Sequence, residues 1–301
     1  MSSECGNLTM ISAVPGQDAI IAGIAQHGLW HTLDGGTTWT PLGTGTGSAT
    51  ITNRPSAIVY DPTNPTTFWE SGIYNSGGVY KTSDNGQTFQ RLGTITHIDQ
   101  IAVDLTDPNR NTLLAGGHEA SQTLYRSTDV GTTWTNIGTT LPPGSGCSSN
   151  PIIVNATTYL INTNPSWAGG TPGIYRTTNS GTTWTKVSNQ APTGQAAITP
   201  TTIYWRTGTN LTISTDQGQT WTNITANLAI DPTILHDGRL LAATNTHITV
   251  SADGGHSWTD IGPTLPYTPA DAIYQPTRHA IYISHWDCGT TVLADAIERL
   301  Q

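Results

Sequence analysis

Lysine is nearly missing from this chain. Lys81 and Lys186 are its two copies in 301 residues, and with nine arginines they face twenty acids, for a formal charge of −9. Nucleic-acid affinity comes chiefly from clustered Lys and Arg that neutralise phosphates, and no basic run is present, so a nucleic-acid partner is excluded. Long apolar runs are missing too. Spanning a bilayer takes ~18 to 20 apolar residues, so no membrane span is expected. Residues Met1 to Met10 have neither the basic nor the apolar region of a secretory signal. Cysteine is scarce: Cys5, Cys147 and Cys288 are too few and too dispersed for a disulfide framework or a paired zinc site. No cofactor is implied.

What is there is Thr, Gly, Asn and Ser, with ten tryptophans, which is a strand-and-turn composition. Low lysine with abundant Thr and Asn points to an exported, extracytoplasmic chain, with the cytoplasm left open. Sequons at Asn7, Asn155, Asn210 and Asn223 lean the same way where the host glycosylates.

The organising feature is a repeat. Six segments align as [S/T]-x-[D/N]-x-G-x-[T/S]-[W/F], beginning at Thr32, Thr82, Ser127, Thr177, Ser214 and Ser251. Their acidic or amide positions are Asp34, Asp84, Asp129, Asn179, Asp216 and Asp253, and their closing aromatics are Trp39, Phe89, Trp134, Trp184, Trp221 and Trp258. An Asp that opens a tight turn accepts hydrogen bonds from backbone N–H groups ahead of it. The Gly two residues on can take positive φ, and the flanking hydroxyls cap strand ends. Asn179 can make the same turn without the charge. An aromatic at one fixed position in every copy is expected to pack inward as inter-blade core.

Successive turn positions lie 50, 45, 50, 37 and 37 residues apart, which brackets the ~40 to 50 residues of a four-stranded propeller blade. The motif resembles the Asp-box, or bacterial neuraminidase repeat, found in sialidases, sortilin-type receptors, xyloglucan hydrolases and photosystem assembly factors. That resemblance covers nearly the whole chain. It implies an all-β propeller of four-stranded antiparallel blades in which the boxes are structural.

After the sixth box, Asp271-Ala-Ile-Tyr, Ala280-Ile-Tyr-Ile-Ser and Thr291-Val-Leu-Ala-Asp read as three strands without a box. The expectation is therefore a single domain, 1–301, of seven blades at about 6–42, 54–94, 98–141, 148–188, 194–225, 228–262 and 269–298. Residues 2–5 would supply the last strand and close the ring. The alternative is six blades with a C-terminal extension.

The propeller pattern puts the boxes on one face, with the turns between first and second strands. The resemblance implies that ligands meet the opposite face, where function concentrates on loops held by a rigid scaffold. Candidate ligand-binding residues there are Arg54, Tyr74, His97, His118, Trp167, Arg206, His285, Trp286 and Asp287. The densest run, His285-Trp-Asp-Cys288, suits sugar stacking, metal binding or nucleophilic chemistry; its structural alternative is a packed loop with a Cys5 to Cys288 bridge. Asp99, Glu70 and Glu119 are the candidate carboxylates should the protein be a glycoside hydrolase, which needs an acid paired with a base or nucleophile. His97 and His118 could hold a metal with Glu119, although isolated histidines on a Thr-rich surface are usually solvated.

Sialidases use three arginines, a Tyr nucleophile with a Glu partner, and an Asp acid. Here only Arg54 and Arg206 fall on the expected face, so sialidase activity is rejected. Two functions remain. The first is a binding or assembly module presenting one face to a glycan or protein, and the second is an Asp-box hydrolase of neutral glycans.

Overall fold

The computed structural model describes residues 8–43, 50–75, 77–143, 145, 150–163, 171–285 and 296–300. It is an all-β propeller. The first sheet is β1 (Leu8–Ala13), β2 (Ile20–Ile24), β3 (Gly28–Thr32) and β4 (Thr40–Pro41), and the second β5 (Arg54–Tyr60), β6 (Phe68–Ile73), β7 (Val79–Thr82) and β8 (Gln90–Arg91). The third is β9 (Ile98–Val103), β10 (Leu113–Gly117), β11 (Leu124–Ser127) and β12 (Thr135–Asn136), and the fourth β13 (Pro151–Ile153), β14 (Tyr159–Thr163), β15 (Gly173–Thr177) and β16 (Thr185–Ser188). The fifth holds β17 (Ala197–Ile198), β18 (Ile203–Thr207), β19 (Asn210–Ser214) and β20 (Thr222–Ile224), and the sixth β21 (Thr233–Ile234), β22 (Leu240–Ala243), β23 (Ile248–Ser251) and β24 (Thr259–Ile261). The last sheet has three strands, β25 (Asp271–Gln275), β26 (Ala280–His285) and β27 (Ala296–Leu300). Each is an antiparallel meander in chain order, and first strands of neighbouring sheets meet at the centre.

The packing follows from the two-residue period of a strand buried on both faces. In β6, Phe68 packs toward the first sheet while Trp69 packs toward the third. In β14, Tyr159 meets the third sheet and Leu160 the fifth. The ring closes where Ile273, Ala280 and Tyr282 of the last sheet pack on Ile11, Ile20 and Ala22 of the first.

One expectation changes here. Complete four-stranded blades number six, the count of the alternative, rather than seven. The last unit is three-stranded among the described residues, and residues 2–5, expected to complete it, lie outside them. Its third strand is described over Ala296–Leu300, where the ladder to β26 sets the register, and the expected start at Thr291 lies outside the described residues.

The repeat turns join third to fourth strands. In each, a buried hydroxyl bridges the turn: Thr32 Oγ1 donates to Asp34 Oδ1 (2.8 Å) and accepts from the Gly36 amide (2.9 Å). The acid then reaches forward, Oδ1 accepting from the Thr38 amide (2.9 Å) and Oδ2 from its hydroxyl (2.6 Å). Asn179 keeps the amide bond but donates through Nδ2 to Thr183 Oγ1 (2.9 Å), reversing one hydrogen bond. The hydroxyl four residues on holds Asp34, Asp129 and Asp253 below the usual carboxylate range. The Gly has positive φ in all six copies, and so has the residue before it, even the β-branched Val130 (φ 61°).

Each closing aromatic covers a different inter-sheet cluster: Trp39, Phe89, Trp134, Trp184, Trp221 and Trp258 all pack from the turn onto the seam with the preceding blade. They are half-buried, where inter-blade core was expected, because the turns lie beside the short fourth strands at the outer rim. Replacing Trp184 by Ala should accordingly cost about 2 kcal/mol in chemical denaturation, against the ~3 to 5 kcal/mol of a fully enclosed tryptophan. A loss at the upper figure would place it in the core.

Candidate functional site

Opposite the repeat turns, three loops converge between the second and third blades. The chain leaves β6 through Tyr74 (φ 56°) and Asn75 (φ 41°), enters β9 through His97 (φ 56°), and leaves β10 through His118 and Glu119 (φ 52°). Left-handed backbone is rare for such residues, and it turns their side chains toward one another. Main-chain bonds tie the loops: the His97 amide donates to Gly77 O (2.8 Å) and the His118 amide to His97 O (2.8 Å).

At the centre is the His118 ring. Its Nδ1 lies 2.7 Å from Asp99 Oδ1, and its Nε2 is 3.1 Å from the Tyr74 hydroxyl and 3.4 Å from Glu119 Oε1. A carboxylate oxygen accepts, so Nδ1 donates to Asp99 while Nε2 meets the Tyr74 hydroxyl and Glu119. The Tyr74 hydroxyl donates to Glu119 Oε1 at 3.4 Å. His97 stacks on His118 (6.3 Å between centroids, 19°), and Tyr74 stands edge-on to both. Burial favours the neutral imidazole, but the hydrogen bond and charge of Asp99, with the charge of Glu119, outweigh it, and Arg54 opposes them weakly. His118 therefore binds its proton more tightly than a free histidine.

This arrangement brings together Tyr74, His97, Asp99, His118, Glu119 and, through its charge, Arg54. It leaves out the rest. Glu70 was placed on the loop face, yet β6 continues to Ile73 and encloses Glu70 completely. Its Oε2 accepts from Asn53 Nδ2 at 3.5 Å, and burial pushes its carboxyl up to about 8. His285 is likewise buried at the end of β26, its ring 4.2 Å from that of Tyr267, and is not presented on the surface. Trp167, Trp286, Asp287 and the three cysteines lie outside the described residues.

Arg206 is held elsewhere, with Nε donating to Asp231 Oδ1 (2.8 Å) and a terminal nitrogen to Gly208 O (2.7 Å). Asp231 also accepts from the Gln195 amide (2.9 Å). Burial raises Asp231, and it pushes Asp271 up to about 6 despite amide donors from Ile11 and Ala272. These two acids were not among the sequence candidates. The available signal was position: Asp271 opens a first strand as Arg54 does.

The chemistry open to the cluster is narrow. Glycoside hydrolysis by two carboxyl groups needs a gap between them for a sugar and a water. Here the His118 ring fills the space between Asp99 and Glu119. Metal binding is disfavoured in the same way, because both ring nitrogens of His118 already face Asp99, Tyr74 and Glu119. Among the described residues, no three His, Cys, Asp or Glu side chains are grouped to hold a metal. What is presented outward is a polar aromatic corner with donors and acceptors in fixed places.

No protein-family model matches the sequence, and no curated protein matches it. Solved structures do match, in fold. The GH74 xyloglucanase from Xanthomonas campestris is 17% identical with a TM-score of 0.67, over 98% of this chain and 54% of its own. An ancestral GH74 enzyme is 14% identical (TM-score 0.62), over 96% of this chain and 46% of its own. YCF48 bound to D1 peptide is 14% identical (TM-score 0.60), over 93% of this chain and 91% of its own. This chain thus spans about half the length of the two hydrolases. The matched structures are β-propellers, and at these identities the likeness is one of fold. Among the described residues no helix is long and apolar enough to cross a membrane.

Proposed function

We propose that this protein is a binding module that recognises a protein or glycan partner through the Tyr74–His97–His118–Glu119 corner. We read its six repeat turns as Asp-boxes that hold the scaffold. The carrying observation is that His118 spans its two neighbouring carboxylates. They fix the ring and the Tyr74 hydroxyl for recognition, and no reaction gap is left between them. A peptide-bound propeller, YCF48, is among the structures matched in fold, over 91% of its chain. Low lysine content fits an exported location.

The test measures two things on the same preparations: reducing-end release from neutral polysaccharides, and calorimetric binding of their oligosaccharides. Wild type, Asp99→Asn, Tyr74→Phe and Glu119→Gln are compared. The expected result is no turnover in any of the four. Saturable oligosaccharide binding weakened about tenfold in Tyr74→Phe, the loss of one hydrogen bond to a charged group, would identify a glycan; absence of binding would direct the search to proteins. Turnover in wild type that disappears in Asp99→Asn or Glu119→Gln would replace the module with a hydrolase.

A further inference from the structure

We propose that the central channel is a second binding site, independent of the loop corner, for an uncharged amphipathic small molecule. A cavity of about 650 Å³ runs along the first strands of the third, fourth and fifth blades, within the ~300 to 1,000 Å³ range of pockets that enclose small ligands. Among the described residues, three large hydrophobic side chains are exposed, Leu33, Leu105 and Ile198. Two of them, Leu105 (40% exposed) and Ile198 (48%), line this one cavity. Apolar surface left wet inside a concave wall marks a place that gains by being covered.

The polarity of the wall sets the ligand class. Asn150 and Gln195 lie just before the starts of β13 and β17, and Gln100 is the third residue of β9, so side-chain amides line the part nearer the loop corner. Leu105, beyond the end of β9, and Ile198, the last residue of β17, place apolar side chains toward the repeat turns, among the polar Thr106, Thr199, Thr201, Thr202 and Gln217. The single ionisable residue in the lining, Asp104, is buried and turned into its own loop. Its Oδ1 accepts from the Thr106 amide (3.0 Å), the Thr106 hydroxyl (2.6 Å) and the Asp107 amide (3.3 Å). A charged ligand would lose its hydration with no counter-charge to replace it, whereas an uncharged one places its polar end on the amides and its tail on Leu105 and Ile198.

The probe is N-phenyl-1-naphthylamine, an uncharged dye whose fluorescence rises in apolar sites. Wild-type protein should take it up saturably at one site. Ile198→Asp, which sets a carboxylate in the channel, and Ile198→Trp, which fills it, should weaken uptake by about tenfold or more, the worth of a buried aliphatic contact. Melting temperatures of both variants should stay near wild type, since the side chain is half-exposed. Octanol should displace the dye and octanoate at pH 8 should do so at least about tenfold less well. Tyr74→Phe should bind the dye as wild type does. Absence of saturable uptake by wild type, undiminished uptake in both Ile198 variants, or equal displacement by octanoate would each overturn the proposal.

Discussion

Replacing Arg110 by Met should destabilise the fold by about 3 to 5 kcal/mol, the usual result of removing one partner of a buried ion pair. Arg110 is buried in the turn between β9 and β10. It grips Asp61 of the preceding blade with two bonds, Nε to Oδ2 at 3.0 Å and a terminal nitrogen to Oδ1 at 2.8 Å. Its other terminal nitrogen ties down Leu105 O (3.2 Å) and Asp107 O (2.5 Å), so a single guanidinium pins two blades and its own turn. Arg110 also holds Asp61 well below the usual carboxylate range, against the effect of burial. In the variant, Asp61 is left buried with the Thr63 amide and hydroxyl as its donors and no counter-charge. The cost should therefore appear as a lower urea midpoint, and the double variant Asp61→Leu with Arg110→Met should recover much of it. A midpoint shift equivalent to less than about 1 kcal/mol would show that the pair behaves as an exposed one.

The scaffold was legible because it is periodic. An Asp or Asn, a Gly and an aromatic at fixed offsets recur six times, and each has a local reason to be there that owes nothing to distant residues. Where the repeat stops, legibility stops: no turn motif follows Ile261 to anchor the last strands. The aromatics were expected in the inter-blade core, whereas their half-burial depends on how short the fourth strands are, which composition does not reveal.

The site was legible as a list and not as a constellation. Strand order sufficed to put Tyr74, His97, Asp99, His118 and Glu119 on one face. Their convergence depends on three left-handed backbone positions at non-glycine residues, and no side-chain pattern announces those. Asp231 and Asp271 escaped notice because a lone acid before a strand is ordinarily a turn partner. Glu70 was misplaced for the opposite reason, since a carboxyl mid-strand contradicts the rule that acids stay outside unless paired.

That contradiction makes Glu70→Gln the second large effect, and a stabilising one. Glu70 is fully enclosed, its Oε1 has no hydrogen-bond partner, and neither has Oδ1 of its neighbour Asn53. A proton on Glu70 turns one of its buried acceptors into a donor. Burial accordingly raises the carboxyl from 4.5 in the unfolded chain to about 8. A raised folded value means that the stability this group contributes is fully present below pH 4.5 and is lost as pH climbs toward 8, because the unfolded state gives up the proton first. At about 1.4 kcal/mol per pH unit over that window, discounted for relaxation around the ion, the cost near pH 8 is about 3 kcal/mol. A glutamine carries its own N–H donors at every pH and avoids that loss. Calorimetry at pH 5 should therefore find wild type and Glu70→Gln melting together. At pH 8 the variant should melt about 5 to 10 °C higher, as expected for a chain of this size. A gap that is the same at both pH values would mean that Glu70 is ionised in the folded protein, and that a donor other than its own proton satisfies it.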